Sequence, residues 1–342
     1  MPDPPSAAES RRSVVAVDNR NEVRDFLVSR RARITPERAG LPAYGGNRRV
    51  PGLRREEVAL LAGVSIDYYV RLERGNLDGV SERVLEALAR ALQLNEAERA
   101  HLFDLASAPN TMMRTRRRPA RQPVRPRVQR ILDAMTGAAA YVRNERLDIL
   151  GVNQLGYALF SEWYAEPARP VNHARFVFLN PRATEFYVHW ESVANDAVGI
   201  LRAAAGRDPY DRDLSDLVGE LSTRSEAFRT RWAAHNVRFH RSGVKRFHHA
   251  VVGDLELTYE AMELPADPGL RLVTYTAEPG SESQDRLNFL ASWSATVHQL
   301  KQAETANASD RESPMRAPRP ETSINEENGG EPGRMSGPGF EE

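Results

Sequence analysis

Seven residues between positions 54 and 71 carry the most telling chemistry of this chain: Arg54, Arg55, Ser65, Ile66, Asp67, Tyr68 and Arg71. Arg71 can pair in a fork with the O6 and N7 of guanine. Asp67 can accept from a cytosine amine, and Ile66 or Tyr68 can touch a thymine methyl. Arg54 and Arg55 can meet phosphate oxygens together with the amides of a helix N-terminus. Such groups act together only if one face presents them. The surrounding stretch LRREEVALLAGVSIDYYVRLERG, Leu53 to Gly75, predicts that face as a helix, a tight turn and a second helix. Ala59 is small where two helices would cross. Gly63 suits a turn of positive φ. Val58, Ala62, Val64, Tyr69 and Leu72 fall on the inward positions, Ser65 is a natural N-cap, and Gly75 ends the second helix.

The same spacing suits an ordinary helical hairpin with solvated charges. Its neighbours favour the nucleic-acid reading. A helical pattern from Asn19 (Val23, Phe26, Leu27, Ile34) precedes it, and another (Val84, Leu85, Leu88, Leu92) follows. A capping box at Asn95-Glu96-Ala97-Glu98 opens a last helix with Leu102, Leu105 and Ala106. Together these predict a compact five-helix unit of net positive charge. Between its first two helices, residues 35–52 hold three prolines and four glycines and read as a loop. Arg48 and Arg49 at its end join Arg54 and Arg55 in a positive patch. That patch suits a grip on the DNA backbone or minor groove, and equally a solvated surface.

The chain has 342 residues, and 47 basic side chains balance 47 acidic ones. The balance hides an asymmetry. Residues 1–126 hold 23 basic and 16 acidic residues, residues 127–301 hold 20 and 22, and residues 302–342 hold 4 and 9. A basic front and an acidic rear suit a nucleic-acid-facing portion and a solvating tail. The expected organisation is a disordered N-terminus (1–18), a DNA-binding unit (19–106), a basic Pro-rich linker (107–126), a second domain (127–301) and a disordered acidic tail (302–342). The absence of cysteine excludes a disulfide scaffold, thiolate catalysis and Cys-ligated metal. No run approaches a membrane span, and the first residues lack the apolar core of a signal peptide, so a cytoplasmic protein is expected.

In the second domain, AAYVRNERLDILGVN alternates as two strands, with Asn153 capping a helix that holds Leu155, Leu159, Phe160 and Trp163. A helical middle begins at Pro181. After His240 the period becomes two, and residues 244–251, 254–263 and 270–277 read as a meander. A final helix carries Leu287, Leu290 and Trp293. This predicts a five-stranded antiparallel sheet with helices on one side, an α+β layout similar to PAS-type sensor domains. Phe228, Trp232 and His235 at i, i+4 and i+7 suit an apolar pocket wall with one polar group, and suit plain core packing too. His240, Arg246, His248 and His249 suit a cationic anchor for a carboxylate. Adjacent His248 and His249 face opposite sides of a strand and so cannot easily chelate one metal ion. No cofactor is expected. There is no Gly-rich phosphate loop, nucleophile elbow or HExxH, so no catalytic residue is assigned and an enzyme is disfavoured.

The stretch GLPAYGGNRRVPGLRREEVALLAGVSIDYYVRLERG, with RVLEALARALQLNEAERAHLFDLA, resembles the XRE-type helix-turn-helix regulators, whose N-terminal domain is all-α and lambda-repressor-like. Within these it is similar to the MmyB-like branch, which carries a long loop between helices one and two. VNHARFVFLNPRATEFY and residues 206–281 resemble the ligand-binding domain of the same regulators. The resemblance implies sequence-specific binding of double-stranded DNA, usually an inverted repeat, by a homodimer. It places base contacts on Ser65, Ile66, Asp67, Tyr68 and Arg71. It also implies a pocket for a small effector, with fatty-acid-like ligands proposed in the family. A domain that only dimerises remains the alternative. The linker reads as flexible, so coupling between the domains is expected through dimer geometry.

Overall fold

The computed structural model describes residues 7–41, 50, 52–107, 123–165, 167–236 and 241–296, with side chains from Asn19 onward. Five helices form the first lobe: α1 (Ala7–Arg33), α2 (Arg55–Ala62), α3 (Ile66–Glu73), α4 (Glu82–Ala91) and α5 (Glu96–Ser107). The first starts ahead of Asn19. Residues 7–18, expected to lack order, continue it, and their Ala, Glu and Arg content favours helix. The turn between α2 and α3 has the expected chemistry. Gly63 adopts φ 65°, and the Val64 amide reaches back to the Ala59 carbonyl at 3.0 Å. The Tyr68 amide donates to Ser65 Oγ at 3.1 Å, which makes Ser65 the N-cap of α3. The capping box of α5 closes both ways, Glu98 N to Asn95 Oδ1 at 2.9 Å and Asn95 N to Glu98 Oε2 at 3.1 Å. Phe26, Leu27, Val58, Tyr69, Leu72 and Leu88 are fully buried between these helices.

The second lobe holds α6 (Pro126–Ala134), β1 (Ala139–Arg143), β2 (Ile149–Val152), α7 (Gln154–Leu159), α8 (His173–Leu179), α9 (Ala183–Phe186), α10 (Trp190–Arg207), α11 (Arg212–Arg224) and α12 (Glu226–Ala233). The strands β3 (Ser242–His249), β4 (Gly253–Glu263) and β5 (Arg271–Thr276) follow, and then α13, residues 282–296. The five strands form one antiparallel sheet in the order β2-β1-β5-β4-β3. The two halves of the chain's strand pattern thus meet at β1 and β5, where Tyr141 lies opposite Val273. The helical run expected after Pro181 divides between α9 and α10. Tyr187 leaves the helix to bridge Phe247, and the Val188 amide bonds the Arg246 carbonyl at 3.2 Å. Helices also lie on both faces of the sheet. Val128 and Leu132 of α6 pack with Ala140, Val142 and Leu272, opposite the aromatic core.

Candidate nucleic-acid interface and effector domain

Helix α3 turns Tyr69, Leu72 and Glu73 inward and leaves Ser65, Ile66, Asp67 and Arg71 exposed, with Tyr68 half-buried beside them. Ile66 is 52% exposed, a cost in water that contact with DNA would recover. The structure therefore brings the five expected base-contacting residues to one outer face. Arg71 rests there, donating to the Asp78 carbonyl at 2.9 Å, with its guanidinium 5.7 Å from the Tyr68 ring centre. Breaking one surface hydrogen bond would free it to reach a base. Arg54 and Arg55 are exposed at the start of α2, next to this face in sequence. Arg48 and Arg49 lie outside the described residues.

The face is held by a buried carboxylate. Glu73 accepts from Arg31 at 2.9 and 3.0 Å and from Arg55 at 3.1 Å. Arg31 donates in addition to the Leu53 carbonyl at 2.9 Å. One group thus ties α1, the start of α2 and the end of α3 together. Burial pushes the Glu73 carboxyl up, but the Arg31 hydrogen bonds and the Arg31 and Arg55 charges outweigh it and hold it below its ordinary range. Sequence reasoning assigned Arg55 to phosphate only. The missed signal was an acidic residue on an inward position of α3, which must be paired if buried.

The residues expected at a ligand pocket do not converge. Phe228 is fully buried and stacks on Trp232, ring centres 5.5 Å apart. His235 follows α12 with φ 51° and turns towards the first lobe. Arg246 and His248 sit on the exposed face of β3, paired with Glu256 at 2.5 Å and Asp254 at 2.6 Å. Strand alternation places Lys245, Phe247 and His249 inward instead. His240 lies outside the described residues.

That inner face is unusual for a core. Phe160, Phe247 and Tyr275 meet edge to face, and Tyr141 and Tyr259 extend the cluster along the sheet. Tyr187 bonds His173 at 3.0 Å. Lys245 is 7% exposed, 3.6 Å from Asp196 of α10 and 5.3 Å from the Tyr259 ring centre. Burial pulls its ammonium down to about 8, against the pull of Asp196. Lys245 is one of only two lysines in the chain, and its inward register was legible from the alternation of β3.

Residues 28–102 match a helix-turn-helix domain family, and residues 124–290 match the MmyB-like transcription regulator ligand binding domain. The chain thus carries the domain pair of an MmyB-like helix-turn-helix regulator. No curated protein matches it. Among the described residues of the regulator, no helix is long and apolar enough to cross a membrane.

In this regulator the two lobes pack directly, α5 of the DNA-binding lobe against α10 of the effector lobe. The linker residues 108–122 lie outside the described residues, so this contact is the direct connection between the lobes that the described residues show. Arg202 of α10 is fully buried and donates to Glu22 of α1, to His235 Nδ1 at 2.9 Å and to the Trp232 carbonyl. Its guanidinium lies 4.2 Å from the Trp232 ring centre. His101 of α5 stands 3.7 Å from Glu22, and a Cβ on Gly206 would come within 2.6 Å of its ring, so only glycine allows this approach. Arg30 pairs with Glu98 at 3.2 Å and reaches the His235 carbonyl. Burial pushes the Glu22 carboxyl up, yet His101, His235 and the Arg202 charge hold it well below its ordinary range. Burial pulls His101 down despite Glu22, so it is neutral at neutral pH.

Asp104 on α5 behaves oppositely. Burial pushes it from 3.8 up to about 6; Arg207 opposes this and Glu145 reinforces it. The folded chain therefore binds this proton more tightly than the unfolded chain, and Asp104 costs stability as pH rises from 3.8 through about 6. Asp104→Asn is expected to gain about 1–3 kcal/mol on the native chain at pH 7 and nothing near pH 3. Urea unfolding of both chains across that range reads the difference; a gain independent of pH contradicts this assignment.

Proposed function

We propose that the regulator binds an inverted-repeat operator in double-stranded DNA as a homodimer, in the cytoplasm, and that a small apolar or fatty-acid-like effector in its second lobe modulates that binding. The outward face of α3 carries the first part. Ser65, Ile66, Asp67, Tyr68 and Arg71 would read base edges in the major groove, and Arg48, Arg49, Arg54 and Arg55 would meet the backbone. For the effector, the supporting observation is Lys245 beside Asp196 among the aromatic side chains of the sheet's inner face: an acidic head on an apolar tail would compete with Asp196 for that cation. Phe228 and Trp232, both on α12, would bound the effector only from the neighbouring core cluster. Arg246 and His248, on the other face, would serve only a ligand held outside the core. No catalytic residue and no cofactor enters this reading.

A thermal-shift panel of fatty acids of graded chain length tests the effector. The expected result is a stabilisation that grows with chain length and is lost in Lys245→Met/Asp196→Asn, since bound ligand raises the melting temperature by mass action. No shift with any member, and no small molecule in the mass spectrum of the purified protein, would leave the second lobe as a dimerisation module only.

A further inference from the structure

The seam between the lobes is unlike a passive contact. Its centre is a buried arginine whose three partners come from two sources. Glu22 belongs to the DNA-binding lobe; His235 and the Trp232 carbonyl belong to the end of α12 in the effector lobe. The Arg202 Nε has no hydrogen-bond partner. A buried cation with one lost partner is costly, whereas the same cation in water costs nothing. Such a contact has two favourable arrangements, fully formed or fully opened, and few between. The seam also touches α1 and α5, leaving the outward residues of α3 exposed. Docking therefore does not cover the DNA-reading face; it fixes where that face points.

We propose that the α5–α10 seam is a two-position latch, pinned by Arg202 on Glu22, through which the state of α12 sets the position of the DNA-binding lobe. Trp232 is the transmitting residue. Its ring lies against the Arg202 guanidinium, its carbonyl accepts from it, and its ring also stacks on Phe228 in the effector-lobe core. A shift of α12 removes the platform and one acceptor from Arg202 together. The Glu22 pair then loses its orientation, and the lobe is released. Arg33 and Arg30, which reach Asn236 and the His235 carbonyl, follow the same segment. This extends the effector reading by giving it a route to DNA, but the latch itself can be read with no effector present.

The chain has no cysteine, so a spin-label pair at Arg90→Cys and Thr223→Cys, one exposed site on each lobe, reports their separation cleanly. In the full chain without ligand, the expected distance distribution is a single narrow peak. Glu22→Gln broadens it by removing the pin's charge, and Trp232→Leu broadens it from within the effector lobe, without touching the DNA-binding lobe. In the same variants, affinity for a two-half-site operator falls about tenfold while affinity for one half-site is unchanged, as expected when a coupling contact and not the DNA-reading face is lost. A broad distribution in the native chain overturns the latch, as does a narrow one in both variants. An equal loss on one and two half-sites overturns it too. Failure of the effector reading would show separately, as a flat ligand panel with these distances intact.

Discussion

Replacing Glu73 with alanine is expected to cost the regulator about 3–5 kcal/mol, enough to consume much of the stability of an ordinary domain. Only 1% of the Glu73 side chain and 15% of the Arg31 side chain are exposed, so removal leaves a cation in a low-dielectric site with one carbonyl for company. Arg55, half in water, tolerates the loss far better. The damage falls on the DNA-binding lobe because Glu73 joins α1, α2 and α3 at once. Glu73→Gln keeps one acceptor oxygen, sets an amide NH2 against an arginine donor in place of the other, and should lose roughly half as much. The carboxyl is held low in the folded state, so its contribution is present at neutral pH and fades as pH falls through the folded-state value. Chemical unfolding of the three chains at pH 7 checks the order. A loss below about 1 kcal/mol in Glu73→Ala would mean the pair is worth no more than an exposed one.

The second large effect concerns recognition. Arg71→Ala is expected to cost about 1–3 kcal/mol on the cognate operator and to relax specificity at one base position. Arg54→Ala should weaken all sequences alike and flatten the salt slope by about one. The contrast follows from placement. Arg71 stands on the exposed face of α3 with a single surface hydrogen bond to give up, whereas Arg54 lies at the start of α2, 3.4 Å from Glu56, where the proposed contact is to phosphate. Binding titrations against operators substituted one position at a time separate the two patterns.

Much of this was legible in the sequence because it rests on local rules. Gly63 as a left-handed turn, Ser65 as a cap, the Asn95 box and the inward set Val58, Ala62, Tyr69 and Leu72 need only helix geometry. The five strands were legible from alternation around Asn153 and Gly253. What escaped depends on partners distant in sequence. Glu73 reads as one more surface charge until Arg31, 42 residues away, is placed against it. Arg202 lies 180 residues from Glu22, and no periodicity in α10 announces that one arginine on it is fully buried. The residue types of Arg246 and His248 suit an anchor. Strand register decided otherwise and turned Lys245 inward in their place.

Genomic footprinting of the purified regulator tests the central claim most directly, that the outward face of α3 reads a DNA sequence. The expected result is discrete protected sites sharing a two-fold-related sequence, with altered base preference at one position per half-site in Arg71→Ala. Protection that ignores sequence, or a base preference unchanged in Arg71→Ala and in the other α3 face variants, would contradict it.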